Sequence, residues 1–447
     1  MSLARHLPRF RKATQMLPAL AERESWSRER IDAFQLEQIN KVWSHATRHV
    51  PYYRTLAARL SLPHCFATLA EYRERVPLLR KQDLKAQKAD FLSESPEPGG
   101  WVRTGGSTGE PMLVFWSHRA HREMLWRKYR MEQAWGVDFF DRKAFLWGHA
   151  ASFSPGLTGV WQRRSQAVQD RLRNRVRLNA YRLGDEDLSR YAEEIRRRRV
   201  RCVYGYSSAV TLLSQKAGQM GRDLPDLKLA ILTAEPATES MLAACRAGFN
   251  AGAAVEYGSV ECGVIATGMP DASLRVCEDR VLLECLARTD GCFDLVVSVL
   301  NNPSFPLLRY VIEDCVESAA AFDDTGFARL GQIVGRRGDA LIARSGRRVH
   351  SLAVKHALES LEGVRRFKAH QDADGSVAIT LEAESLPPRR VLEPAAATLS
   401  DVLEGFPVSV SMVEHLQGNR AGKHRWVSSD RGRGDHADCA GGEDARR

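Results

Sequence analysis

Residues 1–95 place apolar side chains mostly at helical spacing. Ile31 to Thr47 (IDAFQLEQINKVWSHAT) is the clearest case and predicts an amphipathic helix. Pro51-Tyr52-Tyr53-Arg54 breaks it, and Val76 to Gln87 (VPLLRKQDLKAQ) reads as a short turn followed by another helix. A Pro/Gly/acidic loop at 94–100 comes next, then two short strand-like runs around a glycine-rich segment, and a charged helix from His118 to Trp135. Phe145-Leu146-Trp147 predicts a buried strand. From about 185 to 300, strand candidates (Val200 to Tyr204, Leu229 to Leu232, Ala253 to Tyr257) alternate with helical stretches (Ser207 to Met220, Glu239 to Ala247). Leu295 to Leu300 and Leu307 to Ile312 read as further strands. This alternation predicts an α/β fold with layered helices and strands.

A polar, glycine-rich junction (GQIVGRRGD, Gly331 to Asp339) separates that region from a compact α+β alternation. Its predicted parts are strands at Ala340 to Ala343, Arg365 to Gln371 and Val377 to Glu382, and helices at about 352–361 and 391–403. The expected organisation is a large N-terminal domain at 1–334, a small C-terminal α+β domain at 335–430, and a disordered Gly/Asp/Arg-rich tail at 431–447. A chain of 447 residues accommodates one large and one smaller core.

Composition narrows the class. Apolar residues at 44% and charged residues at 27% are an ordinary globular balance, which argues against disorder over most of the chain. No apolar run is long enough to span a bilayer, and the basic N-terminus lacks the apolar stretch of a secretory signal. A cytoplasmic protein is the simplest reading. The nine cysteines include no C-x-x-C pair. Five of them fall between Cys262 and Cys315, without the spacing of a metal site. The formal charge of +10 gathers in Arg163 to Arg177 and Arg196 to Arg201. These clusters fit a solvated helix face, or an anionic partner such as a nucleotide or coenzyme A. No nucleic-acid-binding signature accompanies them, so nucleic acid is not expected as a partner.

The strongest chemical signal is Thr104-Gly105-Gly106-Ser107-Thr108-Gly109-Glu110-Pro111. Glycines let the backbone approach a phosphate, successive N–H groups cradle an anion, and hydroxyls add donors. It is not a Walker A loop, which needs a lysine that is absent here. It matches G-x-S-x-G at Ser107, but that nucleophile elbow opens a helix, whereas Met112 to Phe115 reads as a strand.

The loop resembles the phosphate-binding motif of the adenylate-forming superfamily, and the chain looks most like its phenylacetate-CoA ligase branch, with the CapK-like relatives. Pro51-Tyr52-Tyr53-Arg54 and Val76 to Leu84 (VPLLRKQDL) also resemble that branch, and the similarity runs over roughly residues 35–428 with the motifs in family order. The resemblance implies an enzyme that joins a carboxylic acid to AMP from ATP, releases pyrophosphate, and passes the acyl group to an acceptor. Coenzyme A is the favoured acceptor, and an amine is the alternative. A basic binding protein with a degenerate ATP site, or a hydrolase using Ser107, are the rival classes. A monomer or homodimer is expected.

Residue roles follow from the same resemblance. Thr104, Gly105, Gly106, Ser107, Thr108 and Gly109 hold phosphates. In Glu256-Tyr257-Gly258-Ser259-Val260-Glu261, Tyr257 neighbours adenine, with Gly258 and Ser259 beside it, and Glu261 is the Mg²⁺-side carboxylate, consistent with a hard cation's preference for oxygen. Glu235 and Pro236, in Thr233-Ala234-Glu235-Pro236, border the adenine. Asp314, in PLLRYVIED, bonds the ribose hydroxyls, and Arg336 contacts the ribose side. Arg309 of the same run reads equally well as a structural ion pair. Lys423, in Gly422-Lys423-His424-Arg425, stabilises the carboxylate and α-phosphate. Two departures stand out. Glu110 takes the place of a lysine common in this branch's loop, and the junction acid is shifted to Asp339, with Gly338 at the usual hinge position. On the acid side the candidates are His149, within the ring-rich FLWGHAASF at 145–153, and Tyr206 and Ser207; the rings suggest an aromatic acid.

Overall fold

The computed structural model describes residues 8–103, 112–148, 169–171, 174–180, 182–221, 223–288, 291–322, 326–336, 340–346, 348–350, 354, 358, 364–383, 388–413, 416 and 426–431. The chain forms two compact units. The larger comprises 1–287, 293–312 and 316–332; the smaller comprises 288–292, 313–315 and 333–447.

The larger unit opens with helices α1 (Pro8–Arg23), α2 (Arg28–His49), α3 (Pro51–Leu60), α4 (Leu69–Arg75) and α5 (Lys81–Ala86). Ser27 caps α2 by accepting from the Arg30 amide, and Ile31, Gln35, Ile39, Val42 and Ala46 form its buried stripe. Pro51 ends α2 as expected. Pro51 to Arg54 is itself the first turn of α3, because proline at the first helical position forfeits an N–H that has no partner there. A hairpin, β1 (Gly99–Arg103) with β2 (Leu113–Ser117), pairs Arg103 with Leu113. It leads into α6 (His118–Ala134), capped by Ser117.

The remaining elements are β3 (Lys143–Trp147), β4 (Arg175–Asn179), α7 (Asp185–Arg197), β5 (Cys202–Tyr206), α8 (Ser207–Gln219), β6 (Leu229–Thr233), α9 (Glu239–Phe249), β7 (Gly252–Ser259), β8 (Gly263–Gly268), β9 (Leu274–Val276), β10 (Val281–Ala287), β11 (Phe293–Val299), β12 (Tyr310–Val316), β13 (Ala321–Phe322) and β14 (Ala328–Arg329). One sheet runs β13-β14-β9-β8-β7-β6-β5-β3-β4. Strands β4, β3, β5, β6 and β7 are parallel, and β7 turns back antiparallel onto β8. Alternation along β6 explains its two coats. Leu229 and Ile231 pack with Met131 of α6, whereas Ala230 and Leu232 join a core with side chains of α7, α8 and α9. Strands β10, β11 and β12 lie side by side in a second sheet, with β10 and β11 antiparallel.

In the smaller unit, β15 (Ile333–Arg336), β16 (Ala340–Ile342), β17 (Arg348–His350), β18 (Val364–Gln371), β19 (Val377–Ala383), α10 (Arg389–Val402), β20 (Val408–Val413) and β21 (Val427–Ser429) follow in order. A sheet ordered β20-β19-β18-β21 packs Phe367, Ile379 and Leu381 against Leu392, Ala395 and Leu399 of α10.

Several expectations change. The strand expected at 307–312 begins only at Tyr310, because Leu307 and Leu308 are buried outside any strand. The Arg163 to Arg177 cluster is not one helix face: Arg175 and Arg177 lie on edge strand β4, where Arg177 pairs with Asp170 at 2.6 Å. The second cluster does close a helix, with Arg196 and Arg197 in the last turn of α7 and Asp185, Glu186 and Asp187 in its first, as the helix dipole favours. The helix expected at 352–361 and the tail at 431–447 fall almost wholly outside the described residues, Val354, Leu358 and Arg431 excepted. No described helix is long and apolar enough to cross a membrane.

Candidate active site

The parallel strands end together. Tyr206 of β5 pairs with Thr233 of β6, and Thr233 with Glu256 of β7, so the segments that follow leave from one edge of the sheet. Ligands of open α/β sheets bind at such carboxyl ends. Sequence-predicted Tyr206, Ser207, Glu235, Pro236, Tyr257, Gly258 and Ser259 are all brought to this edge. Ser207 starts α8 directly. The Glu235 carboxylate accepts the Ser208 amide at 2.9 Å, and its carbonyl accepts the Ser207 hydroxyl at 3.1 Å. Glu235 therefore caps α8, placing negative charge at a helix N-terminus and pinning the loop after β6 to the loop after β5. Ser207 is fully buried and spent on this contact.

Beyond Tyr257 the chain makes a tight turn into β8. A Cβ on Gly258 would sit 2.3 Å from the Gly263 carbonyl oxygen, so the turn needs glycine there, and Gly263 itself has φ of +71°. Three side chains brace the turn: Ser259 Oγ accepts the Cys262 amide at 3.0 Å, Trp116 Nε1 donates to the Val260 carbonyl at 3.0 Å, and Arg280 donates to the Cys262 carbonyl at 3.1 Å. Glu261 rides on this turn. It is half-buried and has no hydrogen bond or ion pair among the described residues. A braced, unpartnered carboxylate suits a divalent cation, which prefers hard oxygen donors.

Beneath the edge lies a polar network that sequence reasoning missed. Tyr204 Oη donates to Glu256 Oε1 at 2.7 Å, and Lys128 Nζ stands 3.7 Å from Glu256 Oε2 and 3.0 Å from the centre of the Tyr204 ring. Lys143 pairs with Glu132 one turn along α6. Burial lowers the Lys128 ammonium below its ordinary range, against the pull of Glu256 and Glu132. Burial also pushes the Tyr204 phenol far up, and Glu256 pushes it further, so the phenol remains a donor. Replacing Tyr204 with Phe withdraws a donor from a buried carboxylate and should cost about 1–3 kcal/mol, read by urea denaturation; an unchanged midpoint contradicts this account. The signal was weak: Lys128 and Glu132 are two of many charges along α6, and only Lys143 adjoins an apolar run, Ala144 to Trp147. Their partners lie too far away in sequence to be paired by inspection.

Rings gather at the same edge. Trp147 stacks on Tyr204 at 5.8 Å and lies 4.3 Å from Tyr206, with Phe145 5.5 Å from Tyr204. Tyr206 is buried in this cluster.

Other predicted residues fall elsewhere. Asp314 lies on β12, within the segment that groups with the smaller unit, and Arg336 ends β15. Arg309 is structural: its Nε and Nη2 clamp Glu284 at 3.0 and 2.9 Å, while Nη1 donates to the carbonyls of Arg73 and Val76. Thr104, Gly105, Gly106, Ser107, Thr108, Gly109, His149 and Lys423 lie outside the described residues. Strands β1 and β2, which precede and follow the segment holding Ser107, pair antiparallel, and the first described element after it is a strand, whereas a nucleophile elbow leads into a helix. Cys262, Cys277 and Cys315 are buried, and among the described residues none of the five clustered cysteines joins a metal-ligand group.

No protein-family profile matches the chain. It is 21% identical over 342 residues to protein CapK of Staphylococcus aureus, covering 75% of each chain. It is 24% identical over 357 residues to a phenylacetate-coenzyme A ligase of Thermus thermophilus, covering 72% of this chain and 74% of that one. A solved 2-hydroxyisobutyryl-CoA ligase, bound to R3-HIB-AMP in a postadenylation state, superposes with a TM-score of 0.73 at 19% identity over 92% of each chain. The fold is therefore that of the adenylate-forming acyl-CoA ligases. In sequence the chain is similar to CapK and phenylacetate-CoA ligase, the branch that its motifs resemble.

Proposed function

We propose that the protein activates a carboxylic acid with ATP, forming acyl-AMP and pyrophosphate, and then transfers the acyl group to the thiol of coenzyme A. The observation that carries this reading is Glu261, a carboxylate with no partner among the described residues, on a turn braced by Ser259, Trp116 and Arg280 at the ligand edge of an adenylate-forming fold. The sequence relatives support the thioester, since one of them is a phenylacetate-CoA ligase. The ring cluster of Trp147, Tyr204 and Tyr206 at the same edge supports an aromatic acid.

In the first step an acid oxygen attacks the α-phosphorus, and the bond to the pyrophosphate oxygen breaks. Residues 104–109 hold the leaving phosphates through backbone N–H groups and the hydroxyls of Thr104, Ser107 and Thr108. Tyr257 and the loop of Glu235 and Pro236 border the adenine, Asp314 accepts from the ribose hydroxyls, and Arg336 supports the ribose side. A Mg²⁺ ion held by Glu261 would offset triphosphate charge. Lys423 stabilises charge at the α-phosphate. In the second step the thiol sulfur attacks the acyl carbonyl and AMP leaves. The chain is read as a large domain to residue 334 and a small domain from 335 carrying Lys423, acting in the cytoplasm.

Glu261→Gln keeps the shape of the side chain and removes its charge. Acid-dependent ATP–pyrophosphate exchange should fall at least roughly tenfold, and the Mg²⁺ concentration for half-maximal rate should rise. An unchanged Mg²⁺ dependence would remove Glu261 from the metal site.

A further inference from the structure

A cleft of about 450 Å³ opens in the larger unit between α1, α2, α6 and the turns flanking β10 and β11. Its walls include Phe34, Trp126 and Leu300, together with five cations and two carboxylates. Four of those cations are already matched. Arg23 and Arg127 share Asp279, at 3.1 and 2.5 Å; Arg119 meets Glu97 and Glu123; Lys41 meets Glu37.

Arg280 is different. It is 2% exposed, yet among the described residues no carboxylate pairs with it. Its Nη2 donates to the Cys262 carbonyl at 3.1 Å and to Asn301 Oδ1 at 3.4 Å, while Nε and Nη1 find no acceptor among the described residues. The nearby acids are committed elsewhere: Asp279 to Arg23 and Arg127, and Glu123 to Arg119 and Asn301. The Trp116 ring, 5.8 Å away, gives the cation a π face but no counter-charge. Native proteins rarely leave a buried guanidinium without an anion and with two donors idle, because the desolvation cost goes uncompensated. The volume lies within the range of small-molecule sites, and the walls combine apolar surface with one unspent positive charge.

We propose that this cleft binds a small organic carboxylate, its oxygens at the Arg280 guanidinium and its apolar body against Phe34, Trp126 and Leu300. None of the residues lining it is among those assigned above to the acid or the nucleotide. Because Arg280 also holds the Cys262 carbonyl, an occupant would act through Arg280 on the turn that carries Glu261, which suits an effector more than a substrate.

Isothermal titration of the full chain with hexanoate, without ATP, tests the site independently of the catalytic reading. Arg280→Met removes the charge. Gln38→Trp fills the cleft from half-exposed α2 and leaves Arg280 in place, so a folding defect in the first variant does not decide the matter. The expected result is hexanoate binding by the parent and a loss of roughly tenfold or more in each variant, with hexanol failing to bind. Absence of hexanoate binding in the parent overturns the proposal. Affinity undiminished in Gln38→Trp places the ligand elsewhere and also overturns it. Equal binding of hexanol, or of inorganic phosphate in place of hexanoate, overturns the pairing of a carboxylate with an apolar body.

Discussion

Lys423→Ala is expected to lower acid-dependent ATP–pyrophosphate exchange by about 10²- to 10³-fold, the usual loss when one electrostatic contact to a developing charge is removed. The α-phosphorus gains negative charge on its oxygens as the carboxylate attacks and before pyrophosphate departs. A flexible ammonium suits that moment, because it is a compact point charge that needs no fixed fork of donors. The same substitution should leave thioester formation from preformed acyl-AMP nearly intact, since no pyrophosphate leaves in that step. Equal losses in both half-reactions would mean that Lys423 supports the fold rather than adenylation.

Arg309→Met should destabilise the protein by about 3–5 kcal/mol, the cost of stranding a buried carboxylate. The Arg309 and Glu284 side chains are 10% and 6% exposed, and the guanidinium also satisfies the carbonyls of Arg73 and Val76 near the end of α4. Its backbone has φ of +51°, an uncommon conformation for a residue with a side chain, held by the contacts around it. Removing both charges, as Arg309→Met with Glu284→Leu, should recover much of the loss, because a buried pair often contributes little beyond an apolar replacement of similar volume. Chemical denaturation reads both variants. A single-variant cost below about 1 kcal/mol, in the range of a surface ion pair, would contradict this role.

These two residues mark what the sequence disclosed and what it did not. The strand–helix alternation of 200–257 was legible because each parallel strand is buried on both faces and so reads as a short apolar run. The edge residues Glu235, Tyr257 and Ser259 were legible as motifs on strand ends. That Glu235 also caps α8 was not, since the contact joins residues 27 apart. The Arg309 clamp was open between a site and a structural role, because its partners lie far back in the chain, at Arg73 and Val76. Strands β8, β9 and β10 escaped because glycine, polar and charged residues interrupt their apolar pattern. Lys128 read as one more charge on an exposed helix; only the fold shows it at the Tyr204 ring and beside Glu256. Sequence patterns report which face a residue takes, and long-range polar pairing is set by topology.

The most direct test of the adenylation reading is ATP–pyrophosphate exchange by the parent protein with a panel of aromatic, aliphatic and amino acids in the presence of Mg²⁺. The account predicts exchange that depends on at least one acid, strongest among the aromatic members. Exchange no faster than the acid-free rate for every member of the panel would contradict it.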